Sequence, residues 1–195
     1  MKKLVFSLAL LPMLFSCSSD DDNGLDDTMV EVEEEVITNV DITLVNNDTD
    51  EEVVLSFEDA DGIGVGENGM VTSGGTLDAN STYTGSFAIT NALEDEDITA
   101  EIEELQDEHQ FFFISDEDLA TVETTYNDLD SNEYPVGLDF SLETKEAVTG
   151  SLRVVLRHLP NKSAEGVSDG IITNEDSGSS DFDIEFPITV EESVM

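Results

Sequence analysis

The chain has 195 residues, 38% hydrophobic and 27% charged, with 47 Asp and Glu against 6 Lys and Arg, a formal charge of −41 at pH 7. Binding to nucleic acid or anionic head groups relies on basic clusters, which so acidic a chain does not supply, so nucleic acid is excluded as a partner. A single cysteine rules out an internal disulfide, the lack of tryptophan argues against an aromatic carbohydrate platform, and the length suits one domain plus a tether.

In chain order, Lys2 and Lys3 precede an apolar run, Leu4 to Phe15, broken only by Ser7 and Pro12. A bilayer span takes about 20 apolar residues, so the run is too short for one and suits the h-region of an export signal. It ends in Leu14-Phe15-Ser16-Cys17. This resembles the bacterial lipobox, in which a leucine three residues before a cysteine directs lipid to the sulfur. Phe15 is bulkier than the usual occupant. Residues 1–16 are therefore expected to be a lipoprotein signal peptide and Cys17 an acylated, palmitate-bearing anchor. Each CH₂ buried in the membrane contributes about 0.8 kcal/mol, so several acyl chains together hold firmly. The alternative is a cleaved secretory signal with an incidental cysteine. Loss of Lys2 and Lys3 takes the formal charge from −41 to −43.

Ser18 to Asp27, "SSDDDNGLDD", is polar, acidic and without periodicity, and residues 17–33 read as a solvated tether. An acidic tract directly behind a lipidated cysteine resembles the signal that takes Bacteroidota-type lipoproteins to the outer face of the outer membrane. The expected location is the outer membrane, lipid-anchored and facing the cell exterior, with the periplasmic leaflet as the alternative.

Residues 34–191 are dominated by alternation of period two, the pattern of half-buried strands. Val36, Val40, Ile42 and Leu44 mark a first strand, and Val53, Leu55 and Phe57 a second. Tyr83, Phe87 and Ile89 mark a third, Phe111 and Phe113 a fourth, Val122 and Tyr126 a fifth. Val136, Leu138, Phe140 and Leu142 give a sixth, Leu152, Val154 and Leu156 a seventh, and Phe182 to Val190 the last. Pro187 points that last strand toward a sheet edge, where a missing N–H is tolerated. Ile98, Ile102 and Leu105 recur at helical spacing, with Asp97 as N-cap and acids in the first turn. Long loops are expected at Asp59–Gly75 and Ser163–Asp181. The pattern predicts an all-β fold, an antiparallel Ig-like β-sandwich of about eight strands with one short helix.

Two stretches, "EDITAEIEELQDEHQFFF" and "LRHLPNKSAEGVSDGIITN", are followed by that last alternating strand. Together they resemble motifs of a small flavobacterial-type outer-membrane lipoprotein family of unsettled biochemical function. The similarity covers roughly Val36 to Val190. It implies a lipid-anchored accessory protein accompanying outer-membrane receptors that import scarce nutrients, and brings no catalytic residues with it. The label "type 1 periplasmic binding fold", which some such chains carry, needs repeated β-α-β units that this strand pattern lacks.

Each stretch holds one of the two histidines. His109 adjoins Phe111 and Phe113, and His158 extends the Leu152–Val154–Leu156 face by one step, so both belong at strand ends on or near an apolar face. Neutral imidazole ligates transition metals and haem iron, and Asp107 and Glu108 could complete a shell or orient a ring. The alternative is two structural histidines bonded to neighbouring backbone. A second candidate is "EDADGIGVGEN". Counted from Asp59, an EF-hand would need ligands where Ile63 and Met70 stand, so that motif fails. A looser calcium site using Asp59, Asp61 and Glu67 is an alternative to a plain glycine-rich loop. Lys145, Arg153, Arg157 and Lys162, the four bases left after processing, are expected to pair with the chain's own carboxylates or, failing that, to bind an acidic group.

No Gly-x-Ser-x-Gly elbow or phosphate-cradling loop is present, and no carboxylate pair can be singled out among 47 acids. The sole cysteine is committed to lipid. The chain is therefore read as not an enzyme. Two functions follow from these residues. One is a surface lipoprotein that binds a metal, haem or small nutrient as accessory to an outer-membrane receptor. The other is a structural or protein-interaction module without a small ligand.

Overall fold

Alternation of apolar and polar side chains carries most of the chain into strands, because in an extended backbone successive side chains leave on opposite faces. The computed structural model describes residues 36–63, 69–173 and 176–192. Its strands are β1 (Asn39–Asn46), β2 (Glu52–Glu58), β3 (Met70–Ser73), β4 (Gly75–Asp78), β5 (Thr82–Asn91), β6 (Glu96–Asp97), β7 (His109–Ser115), β8 (Glu123–Tyr126), β9 (Asp139–Glu143), β10 (Val148–His158) and β11 (Ser179–Glu191). They form two sheets. One runs β3-β2-β1-β5-β9-β8, with β6 added to β5, and the other runs β4-β11-β10-β7. Every strand pair is antiparallel except β4 with β11. The all-β sandwich expected from the sequence is the fold observed.

Each of the eight expected strands has a counterpart, though Val122 precedes β8 and Val136 and Leu138 precede β9, and three short strands join them. β3, and β4 at the very end, fall where a long loop was expected from Asp59 to Gly75, and β6 has only two residues, too few to alternate. Val36 does not belong to the first strand: it precedes β1 and is exposed. β11 is an edge strand only in part. From Ile188 onward it pairs with β4, so Pro187 sits at the step where that side of the strand acquires a partner. This is a place where its missing N–H costs no ladder bond to β4.

The inner faces meet in a core that includes Ile42, Leu44, Phe111, Phe140, Leu156 and Phe186. Burying each such side chain stabilises by about 1.5–3 kcal/mol. Phe87 stacks on Phe111 with ring centroids 4.2 Å apart, and Phe113 lies 4.4 Å from Phe140. Gly85 permits that packing, because a Cβ there would lie 2.2 Å from the Phe140 ring. A smaller cluster of Phe112, Val155 and Val167 covers the opposite face of β7 and β10, under the segment from residue 160 to 173. The β7 edge is partly occupied: Phe111 N–H donates to Val136 O, and Tyr126 Oη donates to Phe111 O. Such cover blunts an edge that would otherwise pair with another chain.

The helix α1 (Ile98–Glu104) buries Ile98 and Ile102, and the Asp97 carboxylate accepts the Ala100 N–H at 3.2 Å, satisfying one of the helix's orphan donors. A 3₁₀ turn, Gln106–Glu108, connects α1 to β7. Among the described residues no helix is long and apolar enough to cross a membrane.

Candidate metal centre

β7 and β10 pair in a register that sets His109 directly opposite His158. The stretches Phe111-Phe113 and Leu152-Val154-Leu156 are inward-facing, so the period of two carries both histidines to the inner face at one end of the sheet. The rings stack, centroids 4.8 Å apart and 13° from parallel. His109 is 0% exposed and His158 9%. The two histidines that the sequence singled out are therefore brought together.

A third group joins them. The β10–β11 register slips between Leu156, opposite Phe182, and Arg157, opposite Ser180, leaving Asp181 as the extra residue of a β-bulge. Bulges re-aim side chains, and this one turns Asp181 inward, where it is 8% exposed. Its Oδ2 lies 4.0 Å from His109 Nε2. One donor atom from each of His109, His158 and Asp181 lies within 4.8 Å of the others, and this is the one such triad found among the described residues. Alternation from Phe182 onward would have placed Asp181 on the outer face; only the bulge reverses it, and no residue in "SSDFDIEF" announces a bulge.

The surrounding contacts orient the rings. His109 Nδ1 lies 3.1 Å from Leu105 O. A carbonyl only accepts, so that nitrogen carries a proton and Nε2 faces Asp181. His158 Nε2 lies 3.6 Å from Glu108 Oε2, beyond hydrogen-bond length. His158 Nδ1 is buried with no hydrogen-bond partner among the described residues.

The rim is fastened at three successive residues of the 3₁₀ turn. Lys162 Nζ donates to Gln106 O at 2.7 Å, the Ser131 hydroxyl donates to both carboxylate oxygens of Asp107 (2.9 and 2.8 Å), and Leu159 N–H donates to Glu108 O at 2.6 Å. Lys162 also donates to Asp130 Oδ2 at 2.8 Å, with side chains only 4% and 1% exposed. Burial pulls the Lys162 ammonium below its ordinary pKa, with Asp130 opposing. Burial pushes the Asp130 carboxyl up, but hydrogen bonds from Lys162, Tyr134 N–H and Asn132 N–H outweigh it and hold the group below the usual carboxylate range.

The other sequence-stretch candidates lie elsewhere. Asp59 is buried and its Oδ1 accepts the Asp61 N–H at 3.4 Å, closing a turn on its own loop; Asp61 is exposed. Glu67 and Cys17 lie outside the described residues. Asp107 is turned toward Ser131. Three of the four bases pair internally, Lys145 with Glu123, Arg153 with Asp183 and Lys162 with Asp130, and Arg157 donates to Gly178 O.

The fold thus defines an all-β sandwich with a buried His–His–Asp triad at one end of its smaller sheet. No protein-family model, characterised protein or solved structure matches this chain.

Proposed function

We propose that the protein is an outer-membrane lipoprotein, held by acyl chains on Cys17, facing the cell exterior, and that it binds a small ligand without catalysis as accessory to an outer-membrane receptor. The lipobox-like Leu14–Cys17 and the acidic stretch behind it support the anchoring and the address. The resemblance of "DEHQFFF" and "LRHLPNK" to the lipoprotein family supports the accessory role.

The observation that carries the binding part is the triad. Burying a carboxylate and two imidazoles at the end of an apolar core is costly unless each polar group is matched. Among the described residues the other buried charged side chains are Asp59, Asp130 and Lys162. Inward-facing positions at a strand end would take leucine or valine at no such cost, so the polar set is explained by what it holds.

The test uses the full chain produced in a bacterial envelope. Mass spectrometry of the amino-terminal peptide is expected to find diacylglyceryl on the Cys17 sulfur, and protease applied to whole cells is expected to remove the domain. A melting-temperature screen with metals, haem and small nutrients should give a ligand-dependent rise of RT ln(1 + [L]/Kd). A melting temperature that no ligand moves, with a membrane receptor co-purifying, would instead identify a protein-interaction module.

A further inference from the structure

We infer that the ligand is one divalent first-row transition-metal ion, of the zinc, copper or nickel type, held by His109 Nε2, an imidazole nitrogen of His158 and the carboxylate of Asp181. This names the ligand of the site described above and rests on the ligand-binding reading.

The donor set selects the class. Imidazole suits zinc, copper, nickel and iron, whereas calcium takes six to eight oxygen ligands, and three side chains supplying two nitrogens and one carboxylate cannot provide them. Haem does not suit the site either. The two imidazoles are stacked 4.8 Å apart and His109 has no exposed surface, so a porphyrin, far wider than that gap, would have to part the sheets.

The supporting groups match what ligating histidines need. Such a histidine usually donates its second N–H to a backbone carbonyl or a carboxylate, which fixes the tautomer and raises the basicity of the ligating nitrogen. His109 has Leu105 O at 3.1 Å; Glu108 stands 3.6 Å from His158 Nε2, beyond hydrogen-bond length, and would close on it when an ion is bound. His158 Nδ1, buried and lacking a hydrogen bond among the described residues, is the second, independent sign of a missing partner atom. The competing account is an ion pair between a His109 imidazolium and the Asp181 carboxylate, which lie 4.0 Å apart, and the metal titration decides between the two. Metal bonds of about 2.1 Å at tetrahedral angles place donor atoms roughly 3.4 Å apart; the triad's donors lie within 4.8 Å of one another, so closing on an ion needs shifts of up to about 1.4 Å and a rotation of the stacked rings. Two neutral imidazoles and one carboxylate leave the bound site at +1, within a chain of −41 whose field concentrates cations. Glu108, with its side chain 47% exposed, stands 3.6 Å from His158, whose side chain is 11% exposed.

The full chain, purified in detergent and stripped with chelator, is titrated calorimetrically with zinc, copper(II) or calcium chloride in 1 M NaCl. The screening length there is about 3 Å, which suppresses loose binding to surface carboxylates. One equivalent of zinc or copper is expected, with no heat from calcium. Asp181→Asn, which keeps the shape, and His158→Gln are each expected to weaken binding at least 100-fold with melting temperatures near the parent's. Glu108→Gln should cost about 10–100-fold, as removing an orienting partner does. Should a variant fold poorly, the parent chain loaded with cobalt(II) still decides, because a tetrahedral site of nitrogen and oxygen ligands gives visible bands far more intense than the weak ones of octahedral aqueous cobalt. Failure of the parent chain to bind either metal, or unchanged affinity in both triad variants, would overturn the inference. If a metal-free organic nutrient raises the melting temperature, the metal assignment falls and the ligand-binding reading stands; if no ligand does, both fall.

Discussion

Two buried polar groups sit close to one another in this fold, and they differ in one respect. Lys162 and Asp130 meet at 2.8 Å, and the Lys162 ammonium has a second acceptor in Gln106 O while the Asp130 carboxylate takes two backbone N–H groups. His109 and Asp181 approach only to 4.0 Å, with His158 stacked alongside. The first set is closed by its own atoms. The second gathers two imidazoles and a carboxylate whose donor atoms lie within 4.8 Å of one another. A buried ion pair that satisfies itself fastens loops together, whereas two imidazoles and a carboxylate gathered in one place are the donor set proposed above to hold an ion.

The comparison breaks most visibly at the closed pair. Lys162→Met leaves a buried carboxylate without its cation, which is expected to cost about 3–5 kcal/mol in urea denaturation, and adding Asp130→Asn should recover at least half of that. A single variant no less stable than the parent would mean the pair fastens nothing. The same carboxylate predicts a pH response. The pKa of Asp130 is held down as described, that of Asp116 by the Leu119 N–H foremost and then Ser151, and that of Asp183 by Arg153. A depressed carboxyl pKa contributes stability that is fully present above its unfolded value, about 3.9, and is lost as pH falls through the lower folded value. Unfolding midpoints followed from pH 6 to 2 should therefore drop below about pH 4, and less steeply in the Lys162→Met, Asp130→Asn double variant.

A smaller effect belongs to the turn behind the triad. Gly178 has φ +71°, and a Cβ there would stand 2.0 Å from His158 O. Gly178→Ala is expected to lose about 1–3 kcal/mol and to weaken metal binding by displacing the end of β10. Normal metal affinity in a destabilised variant would separate the turn from the site. Smallest is Arg153→Ala. Its bridge to Asp183 is half-exposed, and such pairs are worth at most about 1 kcal/mol; thermal denaturation should shift little, and metal affinity not at all.

The sheets were legible because alternation survives in any register. Phe111, Leu156 and Phe186 each announce an inward face by themselves, and Asp97 announces the helix start. β3, β4 and β6 were not legible, since none of them holds two apolar residues in alternation, whereas the equally short β8 was read from Tyr126 together with Val122 just before it. At the site, His109 and His158 could be placed on strand ends but not opposite one another, because pairing register depends on which strands become neighbours. Asp181 was hidden outright: its inward aim comes from a single extra residue in a ladder, a feature of two strands together that neither sequence shows alone.

The central claim is tested most directly by anomalous diffraction from crystals of the full chain soaked in zinc. The account predicts one strong peak bounded by His109 Nε2, His158 and the Asp181 carboxylate, at about 2.0–2.2 Å from each. Zinc found only on surface carboxylates, with the imidazoles still stacked and the interval between His109 and Asp181 unfilled, would contradict it.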